Sequence, residues 1–179
     1  MRYVAFFRNL NLGRRNCPDR AQFEQAFLEA GASAASSFLT NGTMAFEARS
    51  RRAAENILDT ASASMAASCG LDEPAFLRRI DQLAALVETE PFRAIDPATV
   101  FACCVSFLHR DAAVAGKLPS STPRGDVEVM AITGSEALCI VRKFGKSPGS
   151  PNAFLEKALA LPATTRVWNT VVRLVDKHA

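Results

Sequence analysis

Nowhere does the chain carry the roughly twenty consecutive apolar residues that a membrane-spanning helix requires. The apolar opening Tyr3-Val4-Ala5-Phe6-Phe7 turns polar at Arg8, too soon for the apolar region of a secretory signal. Both absences direct the expectation to the cytoplasm, with no membrane partner. The five cysteines, Cys17, Cys69, Cys103, Cys104 and Cys139, are odd in number and scattered. They show no Cys-x-x-Cys spacing with histidine partners, so neither a disulfide framework nor a metal site is encoded. Only two histidines are present, His109 and His178, and neither has a visible catalytic partner in the sequence. A P-loop and a dinucleotide fingerprint are both missing, and no cofactor is implied. The segment Asn9-Leu10-Asn11-Leu12-Gly13-Arg14 has too few glycines to cradle phosphate with backbone alone.

What is there suffices for packed domains: 179 residues, 49% of them hydrophobic, enough to bury a real core. The net charge of +3 is too modest to signal nucleic-acid binding by itself. Its distribution is more telling. Arg2, Arg8, Arg14, Arg15 and Arg20 face only Asp19 in the first twenty residues, and from Arg142 onward seven lysines and arginines face Glu156 and Asp176. Between Leu71 and Asp96 acids outnumber bases. Vicinal Cys103-Cys104 lies in the apolar run from Val100 to Phe107, where neighbours point to opposite sheet faces and thiols behave as small hydrophobes.

Apolar periodicity divides the chain into two similar halves. Tyr3 to Phe7 predicts a strand emptying into a basic loop, and Pro18 opens a helix whose Phe23, Ala26, Phe27 and Ala30 recur at helical spacing before Gly31. Ser37-Phe38-Leu39 and Met44-Ala45-Phe46 flank Asn41-Gly42, the dipeptide suited to a two-residue type I′ hairpin turn. An alanine-rich helix from about Arg51 to Ser68 stops before Gly70; Ala75 to Arg79 reads as a strand, and Asp81 as the cap of a helix carrying Leu83, Leu86 and Val87. Beyond Pro91 and Pro97 the order restarts. Val100 to Leu108 is a strand, Asp111 caps a brief helix ending near Pro119, and Val127 to Ile132 pairs with Leu138 to Val141 across Gly134-Ser135. Ser150-Pro151 starts a helix. Trp168, Val171, Val172 and Val175 at helical spacing predict a last helix capped by Thr164 or Thr165. The fold class expected is α+β: two ferredoxin-like βαββαβ-type subdomains with antiparallel sheets and helices packed on one face, residues 1–92 and 99–179, joined by a linker at 93–98.

Three segments carry a family likeness: Ala5-Phe6-Phe7-Arg8-Asn9-Leu10-Asn11-Leu12-Gly13, Ser37-Phe38-Leu39-Thr40-Asn41-Gly42-Thr43-Met44-Ala45-Phe46, and Thr165-Arg166-Val167-Trp168-Asn169-Thr170-Val171. In order and spacing they resemble the bacterial family called domain of unknown function 1697. Asn9 and Arg14 stand where that family has glycine, Asn41 and Thr43 where it has serine and asparagine, and Val167 where it has asparagine. The resemblance implies two α+β subdomains and brings no reaction.

Arg8, Asn11, Arg14, Asn41, Thr43, Arg166 and Asn169 are donors able to grip a phosphate or carboxylate, and Trp168 lies among the last of them. Arg166, near a helix N-terminus, would gain the positive end of the dipole. The bland alternative is that these groups tie loops to backbone and that Trp168, beside Val171 and Val172, is core. Arg142-Lys143-Phe144-Gly145-Lys146 interleaves bases with an aromatic ring, as a nucleic-acid-facing loop would, or is a solvated turn. The leading expectation is a non-catalytic binding protein recognising an anionic partner, a phosphorylated metabolite or nucleic acid, in a basic cleft between subdomains. The alternatives are a small enzyme using Arg8 and Arg166 to clamp a phosphorylated or carboxylated substrate, and a homodimer formed through a sheet edge or the Trp168 face.

Overall fold

A computed structural model describes residues 1–112, 120–144 and 147–179. The first six elements are β1 (Arg2–Phe7), α1 (Arg20–Glu29), β2 (Ala35–Phe38), β3 (Thr43–Glu47), α2 (Arg51–Cys69) and β4 (Ala75–Arg79). Then come α3 (Ile80–Glu88), a single 3-10 turn at Pro97–Thr99, β5 (Val100–Leu108), β6 (Val127–Thr133), β7 (Glu136–Arg142), α4 (Pro151–Leu159), β8 (Ala163–Val167) and α5 (Trp168–His178). Two antiparallel four-stranded sheets result, ordered β2-β3-β1-β4 and β6-β7-β5-β8. The chain is α+β, and the two sheets repeat one strand order. It forms two compact units, Met1–Ala85 with Leu174–Ala179, and Leu86–Arg173. The division falls within α3.

In the first unit, strand alternation decides which side chains meet. Tyr3, Ala5 and Phe7 of β1 share a face with Met44 and Phe46 of β3 and Leu77 of β4, and this face packs on Phe23 and Phe27 of α1 and Ile57, Ala61 and Met65 of α2. Phe7, Phe23 and Phe27 meet edge to face at 5.4 to 6.2 Å, an arrangement that adds about 0.5–1.5 kcal/mol per pair beyond area burial. α1 starts from a capping box in which Asp19 and Gln22 satisfy each other's backbone N–H, so Asp19 rather than Pro18 opens it. α2 is capped by Ser50 and ends at Gly70 in the left-handed conformation. β4 runs into α3 without an intervening residue, which puts Asp81 inside the first turn, paired with Arg79, instead of at the cap.

The first hairpin differs from the two-residue turn expected at Asn41-Gly42. Phe38 pairs with Thr43, so the loop holds four residues, with positive φ at Leu39 (59°) and Gly42 (67°). Pressure from a neighbouring loop explains the change. Phe7 N–H donates to the Gly42 carbonyl at 2.8 Å and Leu12 N–H to that of Thr40 at 2.9 Å, which docks the hairpin loop on the segment following β1. A Cβ on Gly42 would lie 2.7 Å from Leu10 Cβ and 3.2 Å from Leu10 O.

The second unit packs Cys104, Leu108, Ala137, Cys139, Val141 and Ala163 of its sheet against Leu155 of α4. Its hairpin has the tight connection, Gly134-Ser135, with Thr133 opposite Glu136 and φ of 62° at Gly134. Ser150 and Pro151 cap and start α4 as expected. The brief helix expected to end near Pro119 lies outside the described residues. The last segment requires a correction: Ala163–Val167 is β8, paired with β5, and the helix begins only at Trp168. Thr164 and Thr165 are therefore strand residues and not caps. The helical period is real, but it does not reach back past Trp168. The second unit thus follows β5 with β6, β7, α4, β8 and a helix, matching the first more closely than its sequence suggests.

Two expectations follow. Gly42→Ala combines a left-handed φ with contact to atoms that cannot swing away, and should lower stability by about 2–4 kcal/mol in urea unfolding. Ala160, the exposed C-cap of α4, holds φ 54° without being glycine. Ala160→Gly relieves about 1–2 kcal/mol of strain and returns part of it as unfolded-chain entropy, for a net gain of about 0.5–1 kcal/mol in the same measurement.

Candidate functional site

A cluster of polar loop groups in the first unit is built on the segment between β1 and α1. Its backbone is held at several points. Besides the bond from Leu12 to Thr40, Gly13 N–H donates to Pro18 O, Arg14 N–H to Asn11 O and Cys17 N–H to Arg14 O, at 2.9 to 3.1 Å. With the main chain engaged inward, Asn11, Arg14, Arg15 and Asn16 present exposed side chains. Arg20 braces the same region by donating to the carbonyls of Ser37 and Leu39.

Across from this loop lies the turn between α2 and β4. β1 and β4 are antiparallel neighbours, with Phe7 opposite Ala75, so the residues following one strand meet those preceding the other. Arg8 N–H donates to Pro74 O at 3.0 Å. The Arg8 guanidinium donates to Glu73 Oε2 at 2.9 Å and Asn9 Nδ2 to Glu73 Oε1 at 3.0 Å. Asn9 adopts φ 50°, a left-handed conformation that asparagine tolerates, at the position where the resembled family has glycine. Between loop and turn lies an open cleft of about 270 Å³ lined by Asn9, Arg15, Asn16, Cys17, Asp72 and Glu73, among others.

The residues singled out from sequence divide between the units. Arg8, Asn11, Arg14, Asn41 and Thr43 belong to the first; Arg166, Trp168 and Asn169 belong to the second. Arg8 and Asn11 flank the cleft's loop, and Arg14 extends from it. Thr43 is buried and donates to Asn41 Oδ1 at 2.8 Å, which ties the hairpin together. Arg166 stands in β8 opposite Val105, 7% exposed, and donates to Thr164 Oγ1 and Thr165 O, both at 2.9 Å. Burial pulls its guanidinium down to about 10, still cationic at neutral pH. Its expected place at a helix N-terminus is corrected to a buried strand position. Trp168, half-buried, packs edge to face on Phe92 at 5.3 Å within the second unit. Asn169 is exposed.

The basic stretch after β7 is engaged locally: Arg142 donates to Glu128 at 2.7 Å and Lys143 to Ala98 O at 2.8 Å, with the Phe144 ring half exposed. Gly145 and Lys146 lie outside the described residues. His109 stands 3.5 Å from Asp111, and His178 meets the Phe38 ring. Among the described residues no group of three His, Cys, Asp or Glu side chains could hold a metal ion, and no helix is long and apolar enough to cross a membrane. Desolvation pushes the thiols of Cys104 and Cys139 up to about 12 and about 11, as packed rather than reactive cysteines require.

Sequence reasoning missed Asn9, Arg15, Asn16, Cys17, Asp72 and Glu73 as a group. The doubled Arg14-Arg15 was a local signal. Asp72 and Glu73 carry none, because only the β1–β4 pairing brings them to the loop.

No curated protein matches the sequence. Among solved structures, the conserved bacterial protein SP0830 from Streptococcus pneumoniae is similar in fold, with a TM-score of 0.67 over 99% of this chain and 98% of that one at 16% identity. The third segment of family likeness, Thr165 to Val171, lies beyond the stretch that the family's sequence profile matches, whereas both segments that build the cleft's loop and the hairpin docked on it lie within. With residues 1–137 matched, the chain belongs to the family described as protein of unknown function (DUF1697).

Proposed function

We propose that this chain is a non-catalytic binding protein whose opening loop recognises a small phosphorylated or carboxylated molecule. The observation that carries the reading is the division of labour in residues 8–17: main-chain groups help to fix the loop, while Asn11, Arg14, Arg15 and Asn16 keep exposed side chains, Arg15 and Asn16 among those lining the cleft. Donors on a fixed backbone lose less freedom when they close on an anion, and guanidinium groups match phosphate and carboxylate in shape.

Electrostatics favour a small ligand over a nucleic acid. Asp72 and Glu73 form the wall facing Arg15. They would repel a continuous phosphate backbone but accept hydrogen bonds from hydroxyl or amino groups on a compact anion. Glu73 also compensates Arg8 at 2.9 Å, which leaves Arg14 and Arg15 as the principal anion contacts of the loop. Two arginines are few beside the roughly six to ten phosphate contacts of a strongly salt-dependent nucleic-acid binder. The catalytic alternative needs an acid or base set for proton transfer, whereas both oxygens of Glu73 already accept from Arg8 and Asn9 and brace the turn.

Calorimetric titration with inorganic phosphate and with citrate tests the reading. At least one should bind saturably, and the double substitution Arg14→Ala, Arg15→Ala should weaken binding by about tenfold or more, equivalent to about 1.4 kcal/mol. Asn169→Ala should leave it unchanged. If neither anion binds, or if the double variant binds as well as the parent, the proposal fails. An oligonucleotide that bound far more tightly than phosphate, with affinity collapsing between about 50 and 200 mM salt, would replace it with nucleic-acid recognition.

A further inference from the structure

A different part of the first unit carries an inference independent of the cleft. The last six residues, Leu174–Ala179, comprise the end of α5 and Ala179 beyond it, and belong to the first unit although they follow the second in sequence. Leu174 and Val175 are buried. Beyond them the attachment depends on a few specific contacts. One nitrogen of the Arg2 guanidinium donates to the carbonyl of His178 at 3.0 Å and to that of Ala179 at 3.2 Å, while Arg2 Nε reaches Glu47 at 3.3 Å. The His178 ring stands edge to face on Phe38 of β2 at 6.3 Å, and Lys177 Nζ lies 5.9 Å from the centre of the same ring. His178 also borders a cavity of about 110 Å³ with Arg2, Ser36, Phe46 and Glu47.

Among the described residues, His178 Nε2 is a buried side-chain polar atom with no hydrogen-bond partner. A neutral imidazole can leave a ring nitrogen against apolar surroundings at modest cost. An imidazolium cannot, because its second N–H must then be satisfied and its charge desolvated. The charged neighbours reinforce this. Arg2 from β1 and Lys177 from its own helix are both cations, and Glu47 from β3 is already engaged by Arg2. The helix C-terminus would ordinarily favour a cation, but Arg2 occupies the carbonyls of His178 and Ala179. We propose that the C-terminal turn is a pH-sensitive latch: neutral His178 seats it on the β2 edge of the first sheet, and protonation releases it.

The sign of the effect is fixed. Burial, and then Lys177 and Arg2, hold the His178 pKa below its ordinary value. In the released state the imidazole takes up a proton more readily than in the docked one. Docking is therefore fully supported above the ordinary histidine range and weakens as pH falls through it. Release would uncover Phe38 and open the small cavity beside Glu47.

The test uses the full chain, with NMR amide exchange corrected for intrinsic rates and followed from about pH 8 to about pH 5. The amide of Ala179, which donates to Val175 O at 2.7 Å, and its neighbours in the last turn should lose protection as pH falls, while β1 and β3 amides keep theirs. In His178→Phe the ring contact persists without a titrating group, so protection of the last turn should become independent of pH. His178→Gln serves as a second, polar replacement with the same expected independence. Undiminished protection in the parent chain across this range would overturn the latch, as would the same pH dependence in both variants or a His178 titration at or above its ordinary value.

Discussion

The approach of Gly42 to Leu10 is the contact on which the rest of the first unit's polar surface depends. No side chain other than hydrogen fits there, since a Cβ would sit 2.7 Å from that of Leu10. The absence of one atom lets the hairpin loop lie against the segment after β1, and the backbone bonds from Phe7 to Gly42 and from Leu12 to Thr40 close around it. Once Leu10 and Leu12 are held, the next residues fold into turns in which the N–H groups of Gly13, Arg14 and Cys17 are bonded to nearby carbonyls. Asn11, Arg14 and Arg15 are then outward-facing by default. A steric fact in the hairpin thus governs the direction of cationic side chains some thirty positions earlier in the chain.

Much of the fold was legible because local signals were strong. Short apolar runs marked β1, β3, β5 and β7, and Ser150-Pro151 marked the start of α4. The two misplaced helix starts share a cause. β4 and β8 pass directly into α3 and α5 at Ile80 and Trp168, with no glycine or proline between strand and helix to punctuate the change. At the first junction the arginine pair Arg78-Arg79 still read as a strand end. At the second, the period of Trp168, Val171, Val172 and Val175 was extended over Thr164 to Val167, whose pairing with β5 depends on residues about sixty positions away. The cleft was half legible for the same reason. Arg8 and Arg14 stand out in a basic stretch, but Glu73 reaches Arg8 across 65 positions through sheet register, which no local pattern records.

The two units repeat a strand order yet fill it differently, and the contrast bears on where chemistry resides. The first unit's helix-facing core is aromatic, with Phe7, Phe23, Phe27 and Phe46 in mutual contact. The second uses smaller groups and threads a polar chain through them: Ser106 pairs with Thr165 Oγ1 at 2.7 Å, and Thr165 donates to Asn152 Oδ1 at 2.5 Å. Such hydroxyls satisfy one another in the interior and contribute specificity to the packing. In these surroundings Cys104 and Cys139 remain thiols, so the polar and sulfur-bearing content of the second unit serves packing first.

Arg14 and Arg166 show how far residue type alone underdetermines role. Both were singled out as donors for an anion. Arg166, in a strand beside Thr164, is desolvated enough to lower its pKa to about 10, and its guanidinium is committed to groups of its own strand. An incoming phosphate would have to displace those bonds and enter a buried site. Arg14 bears an exposed side chain on a loop whose backbone needs nothing more from it. The same cation is therefore committed to its own strand in one place and left exposed on a loop in the other, and burial of the strand on which it is carried makes the difference.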